Sequence, residues 1–418
     1  MKKVAIIGGG ISGVSLLREL SNKGVEAHLF EGKSTLGGLV RCKEVSGHLY
    51  HLLGGHVFNS KNQQVLEWVK QQIPSYESSM IKAPRNADIL FDFGKVAYPI
   101  ENFLYQLPED IGKAALAEII SSKKSDDLGA SFGEFLRKRF GQTLYDTYFS
   151  PYNKKIWGED LDNIPLGWLE GKLPMPSAHE IVEANVFRKK EADMVHSSFF
   201  YPKNNGSQFW LDQLAPQTGI FYNQKIDKIN KLENGRWTLN CRGDEYTDLV
   251  YTGDVSKLHE VLASVRSEIF IDPRLQSLKA RGISNALCRI PKFNTTWTYL
   301  PESKLSGNRI INTGLFSPNN TPEGEHSGVF EFPYGTIRSK MEQDINTVFP
   351  CAEILATNDV EKAYVIQGDD TRSLIKSQKA ELEQHRFYLL GRFAEWEYYN
   401  MDMCIGAALN LSNQILKC

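Results

Sequence analysis

The run Gly8-Gly9-Gly10-Ile11-Ser12-Gly13 carries the spacing G-x-G-x-x-G close to the start of the chain. Glycine is needed there for three reasons. Gly8 makes a tight turn, Gly10 lets a pyrophosphate approach the backbone, and Gly13 lets a helix lie close to the strand before it. The chemistry this offers is anion binding, because a helix amino terminus presents unpaired N–H groups and partial positive charge. The spacing alone is a weak signal, and its surroundings strengthen it. Val4-Ala5-Ile6-Ile7 is a continuous apolar run suited to a strand buried on both faces of a parallel sheet. Ile11 to Leu20 reads as the helix that follows, with Leu16, Leu17 and Leu20 on its apolar face. A second strand, Glu26-Ala27-His28-Leu29-Phe30, ends in Glu31, where an acid hydrogen-bonds the ribose hydroxyls of an adenosine. An acid at that place selects an unphosphorylated ribose, and therefore FAD or NAD over NADP.

The next stretch, Ser34-Thr35-Leu36-Gly37-Gly38-Leu39-Val40-Arg41, adds a second glycine pair and an arginine. This extension resembles the glutathione-reductase-like group of FAD proteins, so FAD is the expected cofactor. Gly8, Gly10, Ile11, Ser12, Gly13, Glu31, Gly38 and Arg41 are its expected contacts.

With 418 residues, the chain is long for one core, and two or three subdomains are expected. The fold class is α/β: a Rossmann-like FAD-binding domain of the glutathione-reductase-like kind, with a helical insertion and an antiparallel β-sheet substrate domain. Residues 1–90, 200–265 and 380–418 are assigned to a discontinuous FAD-binding domain, 91–199 to a mainly helical domain, and 266–379 to the sheet. Pro108-Glu109-Asp110 starts a helix, and Phe132–Phe140 and Leu144–Phe149 continue the helical block. Phe221–Ile229 and Trp237–Cys241 alternate like strands around the turn Glu233-Asn234-Gly235. Leu249-Val250-Tyr251-Thr252 is expected to rejoin the FAD sheet, with Ile226 near the adenine. Strand-like runs recur at Leu287–Ile290, Thr296–Leu300, Arg309–Thr313, Gly328–Phe332 and Ala363–Ile366. Phe387-Tyr388-Leu389-Leu390 reads as a buried strand ending in Gly391-Arg392. Asp402 then reads as the cap of a helix from Met403 to Leu416, its amino terminus aimed at the flavin.

Composition excludes several classes. The 48 basic and 50 acidic residues leave a net charge of −2, so no bulk attraction to nucleic acid or anionic membrane is expected. Arg137-Lys138-Arg139 and Arg188-Lys189-Lys190 read as solvated faces. The six cysteines are scattered, without Cys-x-x-Cys or His/Cys metal spacing; they read as reduced thiols of a cytoplasmic protein with no metal site. The apolar run after Met1-Lys2-Lys3 is too short for a signal peptide, and no spanning helix is expected.

Further motifs follow in order. They are Gly54-Gly55-His56-Val57-Phe58, Tyr98-Pro99-Ile100-Glu101-Asn102, Pro151-Tyr152-Asn153-Lys154-Lys155-Ile156-Trp157-Gly158, and Gly391-Arg392 with Tyr398 and Met401-Asp402. Together they resemble UDP-galactopyranose mutase, nearer its eukaryotic-type branch, within the superfamily of protoporphyrinogen and amine oxidases. The resemblance runs from residue 1 to about 410 and is weak between 230 and 290. It implies an isomerase in which the N5 of reduced FAD attacks the anomeric carbon of a UDP-sugar, for pyranose/furanose interconversion in surface glycan precursor synthesis. It implies Arg309 as the clamp on the diphosphate, helped by Tyr398 and Tyr364. Asn153, Trp157 and Tyr299 would contact the UDP moiety, and Ile100 and Glu101 would hold the uracil. Gly54, Gly55, His56, Gly391, Arg392, Met401 and Asp402 would lie against the flavin.

The sequence departs from the family pattern at three places. Lys172 stands for a second arginine, Glu101 for an amide, and Asn204-Asn205 for glycines. Lysine keeps the charge of arginine but loses its bidentate fork. The roles expected to carry the reaction fall to Arg309, Lys172, Tyr398 and His56. Expected partners are a UDP-sugar or related nucleotide sugar, NAD(P)H as a candidate reductant, and further copies of the chain. The competing reading is an FAD-dependent oxidoreductase of the amine oxidase or protoporphyrinogen oxidase type, which calls for an apolar tunnel; a flavin-containing binding protein is the non-catalytic reading.

Overall fold

The strand expected from the first apolar run forms at Lys3–Ile7, with Val4, Ala5 and Ile6 fully shielded from solvent. The computed structural model describes residues 2–121, 129–166, 176–189, 198–240, 242–265 and 268–417. The first strand lies at the centre of a five-stranded sheet in the order Phe387–Leu389, Asp248–Tyr251, Lys3–Ile7, Glu26–Phe30, Ile220–Phe221. Every pairing in it is parallel. A parallel sheet must be covered on both faces. On one face lie the helices Ile11–Asn22 and Met401–Lys417, whose Leu16, Leu20, Ile405 and Leu409 share a core cluster with Val4 and Ile6. The other face is covered by a three-stranded meander, Ile229–Lys231, Trp237–Leu239 and Arg242–Tyr246, and by the helix Thr371–Glu383.

The run Phe221–Ile229 is not the single strand that its alternation predicts. Ile220–Phe221 joins the edge of the parallel sheet, and Ile229–Lys231 belongs to the meander. Between them Asn223 adopts a left-handed φ of 54°, and its N–H donates to the Lys33 carbonyl, which turns the chain from one sheet to the next. The last helix starts at Met401, so Asp402 lies inside its first turn, where its charge suits the helix dipole, and is not its cap.

The helical block comprises Glu109–Ser121, Phe132–Leu144, one π-helical turn at Tyr145–Phe149, Ser150–Trp157 and Ala178–Val186. Its core is aromatic, with Phe132, Phe135, Phe140, Tyr148, Tyr152 and Trp157 buried together. The third layer is a seven-stranded sheet. Its order is Glu353–Val365, Ala280–Arg289, Ser327–Pro333, Arg309–Ile311, Trp297–Tyr299, Ala87–Phe91, Gly94–Ala97. It is antiparallel except where Trp297–Tyr299 runs parallel to Ala87–Ile89. The two strands from residues 87–97 are a surprise of connectivity, because they come from far earlier in the chain than the rest. Register in this sheet matters for the site: Tyr299 pairs with Arg309, and Arg309 pairs with Glu331.

Candidate active site

A cavity of about 470 Å³ runs from the first βα turn to the seven-stranded sheet. At one end it is walled by Gly10, Ile11, Ser12 and Gly38, at the middle by Gly54, Gly55, His56, Gly391, Arg392 and Met401, and at the far end by Tyr299, Arg309, Tyr364 and Tyr398. The sequence reasoning named all of these, and the fold brings them together from four separate stretches of chain.

The glycine end is built as its spacing predicts. Gly8 has a φ of 109°, and a Cβ on Gly13 would sit 2.1 Å from the Gly8 carbonyl oxygen, so helix and strand meet backbone to backbone. Gly10 ends the turn without a side-chain cap, which leaves the first N–H groups of the helix free for an anion. A Cβ built on Gly10 would meet nothing nearer than the Gly38 Cα at 3.9 Å. That open groove between two glycines fits a dinucleotide pyrophosphate.

The middle of the cavity holds polar groups that lack protein partners. The Nε and Nη2 of Arg392 and the Nε2 of His56 are buried and have no hydrogen-bond acceptor or donor among the described residues. Arg392 stacks its guanidinium over the Tyr398 ring at 4.2 Å, with Tyr364 further off at 5.7 Å. Such orphaned donors fit the carbonyl edge of an isoalloxazine or an anionic ligand. His56 is pushed down to about 4 by burial first, then by the charges of Arg392 and Arg309. It is therefore neutral at physiological pH and offers one donor and one acceptor.

At the far end Arg309 is held charged. Burial opposes its charge, but Glu331 and the phenols of Tyr364 and Tyr152 outweigh that effect. Its Nε donates to Glu331, and its Nη2 donates to the Tyr364 hydroxyl at 2.9 Å. Tyr364 and Tyr398 stack in parallel with centroids 5.9 Å apart.

Other expected site residues lie behind the cavity wall. Glu31 accepts from the Gly9 N–H at 2.9 Å and stands 3.9 Å from Arg41, whose Nη2 donates to the Thr35 carbonyl. Ile226 packs in the core with Phe30. Neither Glu31, Arg41, Ile226 nor Asp402 is among the lining residues. Trp157 packs edge-on against Tyr364 at 6.0 Å, and the Asn153 amide donates to the Phe149 carbonyl one helical turn back. Both support the wall in this structure. Ile100 and Glu101 are buried under the helical block. Lys172 lies outside the described residues. Sequence reasoning missed Asn59, Arg85, Phe199, Trp297, Thr252 and Cys404, all of which line the cavity. Thr252 ends the run Leu249–Thr252 that the sequence marks as a strand, and Trp297 lies in the strand-like run Thr296–Leu300, but neither stands out there as a site residue; the others carry no motif. Cys42, Cys288, Cys351 and Cys404 are free, as expected of reduced thiols; Cys241 and Cys418 lie outside the described residues.

Three comparisons bear on this arrangement. The NAD(P)-binding Rossmann-like domain family matches residues 6–71. The dTDP-fucopyranose mutase of Escherichia coli is 28% identical over 438 residues, covering 100% of this chain and 99% of that protein. The UDP-galactopyranose mutase of Mycoplasma genitalium is 23% identical over 441 residues, covering 99% and 94% of the two chains. A crystal structure of reduced UDP-galactopyranose mutase superposes with a TM-score of 0.86 at 21% identity, covering 100% of this chain and 96% of that one. The chain is thus similar along its whole length to nucleotide-sugar pyranose mutases, and it shares the fold of UDP-galactopyranose mutase. Relatives of this kind support an enzyme of the isomerase class, and a Rossmann-like dinucleotide domain beside these likenesses implies a flavin cofactor. No described helix is long and apolar enough to cross a membrane.

Proposed function

We propose that the chain interconverts the pyranose and furanose forms of a sugar carried on a pyrimidine nucleoside diphosphate, with bound reduced FAD. The relatives named above act, by their names, on dTDP-fucopyranose and UDP-galactopyranose, and that substrate class is adopted here for this chain. One observation carries the reading: the dinucleotide cradle at Gly10 and Gly38 opens, within one cavity, onto Arg309, Tyr364 and Tyr398.

Reduced FAD supplies the nucleophile for the anomeric carbon. The protein's own groups do the rest. As the bond from that carbon to the diphosphate breaks, negative charge grows on the leaving oxygens. Arg309 and the hydroxyls of Tyr364 and Tyr398 are pre-placed donors for it, gathered at one end of the cavity. Neutral His56 and the free donors of Arg392 orient the cofactor edge. Gly10, Ile11 and Ser12 hold the pyrophosphate, and Glu31 stands at the ribose end of the second strand. Asn153 and Trp157 are assigned to the wall beside the nucleotide, and Ile100 and Glu101, buried in the helical block, to the packing behind it. Lys172 is assigned as a second cation for the diphosphate. The reaction proceeds in the cytoplasm, draws its reducing equivalents from NAD(P)H, and supplies precursors of surface glycans.

An oxidase for apolar substrates needs an apolar tunnel, whereas three arginines line this one. The test is to incubate the dithionite-reduced holoprotein with UDP-galactopyranose and dTDP-fucopyranose and to separate ring forms by chromatography. Ring-size interconversion is expected. Flavin oxidation of an amine or porphyrinogen in its place would transfer the chain to the oxidoreductases. Arg309→Met should weaken UDP or dTDP binding by about ten- to a hundredfold, the cost of losing a charge-assisted contact. Unaltered calorimetric affinity would remove Arg309 from the diphosphate.

A further inference from the structure

Arg309 and Glu331 stand directly opposite each other on neighbouring antiparallel strands, so their side chains leave the sheet on the same face. Glu331 is 0% exposed. One of its oxygens, Oε2, accepts from the Nε of Arg309. The other, Oε1, is buried with no hydrogen-bond partner among the described residues. That second oxygen lies against the flavin-facing turn: a Cβ on Gly54, whose φ is 80°, would come within 2.1 Å of it. One carboxylate thus touches the cation at the far end of the cavity and the turn that carries Gly55 and His56.

A buried carboxylate is costly unless paired, and a buried pair is retained at such a cost where it fixes geometry. Here the geometry is that of the guanidinium fork. With Nε held by Glu331 and Nη2 by Tyr364, two of the three nitrogens of Arg309 are fixed. The pairing also offsets one positive charge in a cavity that contains Arg392 as well.

We infer that Glu331 is a positioning residue: it aims the Arg309 fork at the diphosphate and, by offsetting its charge, sets the redox poise of the bound flavin. The first half rests on the nucleotide-sugar reading above; the second does not. Glu331 needs no contact with substrate for either effect.

The experiment compares holoproteins of wild type, E331Q, R309M and the double variant. UDP and dTDP affinity is measured by calorimetry, and the flavin midpoint potential by dye-coupled titration. E331Q should weaken nucleotide binding by about tenfold, the scale of one misdirected charge-assisted bond. It should also raise the flavin potential, because an uncompensated guanidinium favours the reduced, anionic ring. Added to R309M, E331Q should change affinity by less than about twofold, since residues acting through one another are not additive. E331D separates position from charge: the potential should stay near wild type while affinity falls. It also serves should E331Q fail to fold. An equal effect of E331Q in both backgrounds, no effect in either, or an E331D protein that binds nucleotide like wild type would overturn the assignment. If no variant and no wild type binds either nucleotide, the nucleotide-sugar reading fails. In that event a potential that rises in E331Q and returns in the double variant still supports the charge role, and an unmoved potential refutes it.

Discussion

Glu101 shows how much a single side chain can couple to solution conditions. It is a buried acid whose carboxyl burial pushes up to about 7. The unfolded chain ionises near the ordinary glutamate value, so between that value and pH 7 the folded protein holds a proton that the unfolded chain has lost. Stability therefore falls as pH rises through this window. Glu101→Gln removes the titration while keeping the shape, and also supplies the amide expected from the family resemblance. The variant should gain up to about 3 kcal/mol above pH 7 and little near pH 4, from a shift of about 2.5 pKa steps. Chemical denaturation at both pH values checks this. A gain that is the same at both would mean that ionisation of Glu101 is not the cause.

Among elements, the helix Ser150–Trp157 reaches across to the seven-stranded sheet through one ammonium group. Lys155 Nζ donates to the carbonyls of Leu300 and Glu302 at 2.7 Å each and to that of Gly307 at 3.1 Å. Those carbonyls belong to the connection that ends at Arg309, so the lysine ties the aromatic helical block to the approach of the strand that carries Arg309. Lys155→Met should leave three carbonyls without their donor and cost about 1–3 kcal/mol. It should also loosen the Arg309 strand, seen as faster amide exchange in residues 300–309 and several-fold weaker nucleotide binding. Amide exchange in that segment unchanged from wild type would show that the clamp carries no weight.

At the scale of the whole molecule, the dinucleotide unit is closed by the last residues of the chain. The helix Met401–Lys417 buries Cys404, Ile405, Ala408, Leu409, Leu411 and Ile415, and its carbonyl at Ile415 accepts from Lys2 at the opposite end of the sequence. Lys23 Nζ adds a bond to Asn413 Oδ1 at 2.7 Å. Burial of a large apolar side chain contributes about 1.5–3 kcal/mol. Four such aliphatic side chains on this helix rival the total stability of about 5–15 kcal/mol that a domain has in hand. A chain ending at residue 400 should lose FAD and cooperative unfolding together. Retention of stoichiometric flavin by that truncation, read from its absorbance spectrum, would contradict the closure described here.

The glycine turn, the two strands beside it and the order of the later motifs were legible in the residues, because each rests on short-range rules. Backbone conformation at Gly8, close approach at Gly13 and an apolar run for a doubly buried strand need no knowledge of distant chain. The split of residues 220–231 between two sheets was not legible, since alternation reports that a residue is half-buried and not which sheet buries it. Nor was the pairing of Arg309 with Glu331. Both residue types could be read, but their opposition is a property of strand register, which many distant contacts settle together. Arg85, Trp297 and Phe199 line the cavity for the same reason: only the packing of three layers decides which way an unremarkable side chain faces. Local chemistry named the cofactor cradle; the tertiary structure chose what stands across from it.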